Sequence, residues 1–100
     1  MAQTLTSKQR AFLRAQANAL TPILHIGKET PDEAVFKQAD DALTARELIK
    51  GRVLETSALS VAEVAETVAA RVEATLVHTM GRTFVLYRRN DKQPKIVLPR

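Results

Sequence analysis

Residues 23–34, ILHIGKETPDEA, carry the change of periodicity that decides the fold. The run PILHI (22–26) reads as a short strand, and Gly27, one of 3 glycines in the chain, ends it. TPDE (30–33) is then a helix start, with Thr30 as cap, Pro31 at the first helical position and Glu33 placed to close a capping box. Asp32 and Glu33 also complement the positive end of the helix dipole. Val35, Phe36, Ala39, Ala42 and Leu43 share one helical face, which predicts a helix to about residue 45. ELIKGRVLE (47–55) is strand-like, with Ile49 and Val53 on one face and Lys50 and Arg52 on the other. Strand, helix, strand in this order predicts a right-handed crossover.

Working outward, Thr6 and Gln9 have capping-box spacing, and Leu13, Ala17 and Leu20 follow at helical intervals. A first helix is expected over about residues 7–19, broken by Thr21 and Pro22. Ser60 and Glu63 open a third helix whose apolar positions are Val61, Val64, Ala65, Val68, Ala69 and Val72. Valines are weak helix formers, so burial must stabilise this helix more than propensity does. ATLVHTM (74–80) and RTFVLYRR (82–89) read as two strands joined tightly around Gly81 and Arg82. The KIVL of the extended tail is expected to add an edge strand or lie along the surface. The order α-β-α-β-α-β-β predicts an α/β sandwich of a four-stranded mixed sheet and three helices.

The 100 residues form one expected domain, 1–100, with 45% apolar residues for a modest core. The absence of cysteine excludes disulfides and thiolate chemistry and suits a reducing cytoplasm. No segment approaches the roughly 18 apolar residues of a membrane span. The net charge of +4 is unevenly spread. Lys8, Arg10 and Arg14 have no acid among them, residues 25–80 are net acidic, and Arg82, Arg88, Arg89, Lys92, Lys95 and Arg100 face Asp91 alone. Two basic ends brought together by folding would make a face for a polyanion.

A glycine ending a strand can adopt positive φ and admit a ligand close to the backbone, and the next helix presents unpaired N–H groups. Gly27 with Lys28 is therefore a candidate phosphate contact. GKETPDE is not a P-loop, since it has neither the second glycine nor the Gly-Lys-Ser/Thr order. Catalysis is not expected: His25 and His78 sit in apolar runs without metal-ligand spacing, and both read as packed or edge histidines. Asp40 and Asp41 point apart on a helix, and Ser7, Ser57 and Ser60 are accounted for as caps or loop residues. No cofactor and no metal is implied.

HIGKE between strand and helix, ELIKGRV, the hairpin MGRTFVLYRR and the ending KIVLPR together resemble the CRM domain (chloroplast RNA splicing and ribosome maturation) in its bacterial stand-alone YhbY-like form. The resemblance runs from about Thr6 to Arg100. It implies a fold similar to the C-terminal domain of translation initiation factor three and a non-catalytic RNA-binding protein associated with precursor large-subunit (50S) rRNA. It also implies a GxxG loop that contacts RNA, as in KH domains. Gly27 and Lys28 match the loop's start, whereas Thr30 stands in place of its second glycine. Gly51 stands where the family usually has a β-branched residue, which predicts a weakened or bulged second strand.

The candidate RNA contacts are then Gly27 and Lys28 with Lys8, Arg10, Arg14, Lys50, Arg52, Arg82, Arg88 and Arg89. Tyr87 is a candidate for base stacking, and Phe84 is assigned to the core. The chain is expected to be a monomer, because each helix's apolar stripe is used up in the core. A different class of function is a protein-interaction module, in which the acidic second helix (Asp32, Glu33, Asp40, Asp41) meets a basic ribosomal protein.

Overall fold

In the computed structural model, which describes residues 4–27, 31–55 and 59–99, the element order is the one the periodicity predicts. The elements are α1 (Ser7–Ala17), β1 (Leu24–Ile26), α2 (Glu33–Arg46), β2 (Leu48–Val53), α3 (Val61–Arg71), β3 (Thr75–Met80) and β4 (Thr83–Tyr87). The four strands form one sheet in the order β1-β2-β4-β3. β1 is parallel to β2, and β4 is antiparallel to both of its neighbours. The capping boxes Thr6/Gln9 and Ser60/Glu63 are both formed. No helix among the described residues is long and apolar enough to cross a membrane.

The sheet carries a core on each face. Leu24, Ile26, Ile49, Val53, Phe84 and Leu86 point towards α2 and α3, where Ala39, Leu43, Val64 and Val68 meet them. Leu48, Val77, Val85 and Tyr87 point the other way, onto Leu13 and Ala17 of α1. β4 is thus buried on both faces, which is why FVLY is a continuous apolar run. The tail adds no strand; Ile96 and Leu98 pack into the α1-side core instead.

Three local expectations are corrected. α2 is capped by Asp32, not by Thr30, which lies outside the described residues. Asp32 has extended backbone angles and its carboxylate accepts the Val35 N–H at 3.1 Å, so Pro31 precedes the cap. Aspartate is the stronger capping residue of the two.

Second, β2 is not bulged at Gly51, which pairs in regular register with Leu24 and Phe84. The Phe84 ring lies over it: a Cβ at position 51 would come within 2.7 and 2.8 Å of Cε1 and Cε2 of that ring. The irregularity falls in β3, where consecutive β4 residues Leu86 and Val85 pair with Leu76 and His78, leaving Val77 as an extra residue. Third, Gly27 has no positive φ, and a Cβ there would make ordinary contact with Leu54 at 3.7 Å among the described residues. Only Gly81, in the hairpin turn, has positive φ among the glycines.

The C-terminal segment is tied down by one buried acid. Glu47 ends α2 at φ 66 and is 0% exposed. Its carboxylate accepts the backbone N–H groups of Asn90 (2.6 Å), Lys95 (2.6 Å) and Ile96 (2.7 Å). Burial pushes the carboxyl's pKa up, but these three bonds and the charge of Arg89 outweigh it and hold it below its usual 4.5.

Two outcomes follow. Gly51→Val is expected to lower stability by about 1–3 kcal/mol in urea unfolding despite valine's strand preference, with partial recovery in a Gly51→Val/Phe84→Leu double variant. Because the folded-state pKa of Glu47 is depressed, its stabilisation is complete above about pH 4.5 and is lost as pH falls through the folded value. Glu47→Gln should therefore cost about 2–3 kcal/mol at pH 7 and flatten the acid limb of unfolding midpoints measured from pH 7 to pH 3.

Candidate nucleic-acid interface

The register gathers the basic residues more selectively than the sequence suggests. On the α1-side face, cross-strand pairing places His25, Arg52, Thr83 and Met80 in one row. The next row is Lys50, Val85 and His78. α1 covers the β2–β4–β3 part of this face, and its Ala11, Arg14, Ala15 and Asn18 form one wall of a groove of about 470 Å³. His78, Thr79 and Met80 form the opposite wall. His25 and Arg52 lie exposed beyond the helix, at the end of the sheet where Gly27 leaves β1. Arg52 and Arg82 also line a smaller depression beside Leu54 and Glu55.

The candidates fall into two groups. Some are held inside the fold. Arg10 donates from Nη1 to the carbonyls of Leu76 and Val77, so it holds the β3 bulge. Arg88 donates to the Asp40 carboxylate (2.7 Å), the Thr44 hydroxyl (2.9 Å) and the carbonyls of Val72 and Asp40. Arg82 donates to the carbonyls of Val53 and Leu54, and Lys50 reaches the Leu20 carbonyl at 3.4 Å. Others face outward: Lys8, Arg14 and Arg52 are exposed and make no hydrogen bond or ion pair among the described residues. Lys8 projects roughly 120° round the helix from Arg14. Lys28 lies outside the described residues.

Arg88 and Arg89 do not join the others. They follow the last residue of β4, which pairs with Leu48 and Thr75 at the starts of β2 and β3. That is the opposite end of the sheet from Gly27, roughly 17 Å along a six-residue strand. Arg89 makes a 3.5 Å exposed pair with Asp91. Tyr87 is corrected outright: it is 1% exposed within the α1-side core and offers no face to a base. Phe84 is buried as expected.

The acidic helix is also committed internally. Asp32 caps α2, Glu33 pairs with Arg71, Asp40 with Arg88, and Asp41 with Lys37 at 3.1 Å. Arg71 further lies over the Phe36 ring at 4.6 Å.

Two residues that sequence reading set aside belong to this face. His25 is exposed, and the alternation of LHI does signal this. His78 is half-buried and faces the groove because the bulge turns it there, and no sequence signal reports that. Burial, then the charges of Arg14, Lys50 and Arg10, hold its imidazole below the usual 6.5.

A four-stranded mixed sheet with helices on both faces and basic residues along one open edge defines a small two-faced α/β domain. The chain belongs to the CRS1/YhbY (CRM) domain family, whose model matches residues 5–88. It is 42% identical over 95 residues to the Bacillus subtilis "Probable RNA-binding protein YqeI", covering 95% of this chain and 99% of that protein. It is 33% identical over 97 residues to a Haemophilus influenzae "RNA-binding protein", covering 97% of each. The solution structure of SAV1595 from Staphylococcus aureus matches at TM-score 0.80 and 40% identity, over 96% of this chain and 100% of that one.

The internal role of Arg88 has a direct check. Arg88→Ala should lower stability by about 1.5–3 kcal/mol in urea unfolding, because charge-assisted bonds at a half-buried site are lost. Arg52→Ala, at an exposed site, should stay within about 0.5 kcal/mol of wild type.

Proposed function

We propose that this chain is a non-catalytic RNA-binding protein that docks the α1-side end of its sheet on phosphates of precursor large-subunit (50S) rRNA, as a ribosome assembly factor. The observation that carries this reading is the pair of register rows that bring His25, Arg52, Lys50 and His78 together beside Arg14, with no acid in either row. Family membership and the names of the relatives support RNA as the partner.

Gly27 supports the same reading. Gly27 has no positive φ, and only Leu54 comes near its missing side chain among the described residues, so a ligand could approach its backbone closely. Lys28 follows it in sequence and would add a positive charge. Tyr87 and Phe84 are buried and offer no face to a base, and in this proposal selectivity comes from the shape of folded RNA. The protein works as a cytoplasmic monomer in this proposal; an association that grows with concentration in light scattering would refute the monomer.

The test is binding of protein-free large-subunit rRNA fragments across a salt series, wild type beside Arg52→Glu, Lys28→Glu and Asp41→Lys. Contact with about six phosphates gives a log-affinity slope of roughly −4 against log salt. Arg52→Glu and Lys28→Glu should weaken binding and reduce that slope by about 1 each. Asp41→Lys should leave affinity intact, whereas loss of binding in that variant alone would favour the acidic helix as the contact. Salt-independent binding by the wild type would reject the reading.

A further inference from the structure

The groove between α1 and β3 lies on the same face of the sheet as the exposed His25 and Arg52, and its polar lining has the composition of an anion seat. Arg14 and Asn18 come from the helix, and His78 and Thr79 from the strand, with no carboxylate in the lining. Arg10 and Lys50 lie close enough to act on the His78 imidazole, yet both hold backbone carbonyls of the fold. They supply a fixed positive field, while Arg14 makes no bond among the described residues and is available to a ligand. We propose that this groove seats one phosphodiester of the bound RNA strand, with Arg14, Asn18 and His78 as its donors, and that His78 takes up a proton as the phosphate enters. The proposal rests on the RNA-binding reading above and adds a pH-linked contact to it.

The bulge is what makes the seat. In a regular strand Val77 and His78 would point to opposite faces; the extra residue lets Val77 enter the α1-side core while His78 lines the groove on the same side. Arg10 holds the two carbonyls at the bulge and so keeps the imidazole in place. Every charged group acting on His78 is a cation: Arg10 and Arg14 from α1, and Lys50 from β2. The β4 residue opposite it is Val85, which carries no charge. Partial burial and then those cations favour the neutral ring. A phosphate in hydrogen-bond contact with the ring offsets that field at close range and accepts from the protonated form, so binding strengthens as pH falls.

The experiment compares wild type, His78→Gln and Arg14→Gln by fluorescence anisotropy with labelled protein-free large-subunit rRNA fragments, from pH 8 to pH 6 at constant ionic strength. In parallel, the His78 imidazole of the wild-type chain is titrated by NMR with and without that RNA, a readout independent of how the variants fold. Wild-type affinity is expected to rise about 3–10-fold over this range as the imidazole takes up its proton in the complex. His78→Gln should lose most of that rise. Arg14→Gln should bind more weakly at every pH, with a salt slope smaller by about 0.7 to 1. The imidazole pKa should move upward when RNA is added. An unmoved imidazole, or a His78→Gln pH profile equal to wild type, overturns the seat while RNA binding itself stands. Loss confined to Arg14→Gln without an imidazole shift overturns it as well. Absence of wild-type binding to any fragment overturns both this seat and the RNA-binding reading.

Discussion

β4 has no face in water, and the rest of the structure is arranged around that constraint. Phe84 and Leu86 require cover from α2 and α3, and Val85 and Tyr87 require cover from α1 and the C-terminal segment. A chain of this size has few elements to spend on a second layer. α1 shields the part of the sheet nearest β3 and leaves the β1–β2 edge of that face open, where His25 and Arg52 are exposed. The same constraint explains Gly51, whose missing side chain leaves room for the Phe84 ring within the core on the α2/α3 side. Packing demand and the position of the binding face are therefore linked.

The two ends of the sheet treat charge in opposite ways. Where α2 ends, Glu47 collects three backbone N–H groups and Arg88 binds the Asp40 side chain and nearby carbonyls, so charged groups act as internal fasteners. Such groups tolerate burial because hydrogen bonds satisfy the charge. Towards the end of the sheet where β1 and β2 finish, Arg14 and Arg52 have no such acceptors among the described residues and project a positive field outward. Arginine thus does two kinds of work here, and the difference lies in the carbonyls and carboxylates within reach.

Element order, the three helices, the hairpin and the faces of β2 were legible in the chain because each depends on neighbours a few residues apart. The boxes Thr6/Gln9 and Ser60/Glu63 are local hydrogen-bond patterns, and the alternation of Ile49, Lys50, Arg52 and Val53 is local geometry. α2 starts two residues later than the spacing predicts, because Thr30 and Asp32 both have capping chemistry and the Asp32 carboxylate accepts the Val35 N–H at the helix start. Tyr87 carries an amphipathic side chain whose burial depends on α1 and the tail, which are distant in sequence.

The amino-acid sequence by itself determined the secondary elements, the α/β class, the CRM resemblance and the choice of basic residues to consider, since periodicity, capping and charge are properties of short stretches. Only the tertiary structure decided which of those residues share a face. A one-residue bulge in β3 turns His78 to the α1 side, and strand pairing places Arg52 beside His25 while sending Arg88 to the far end of the sheet. Register and burial are set by contacts between segments far apart in the chain, and no local pattern encodes them.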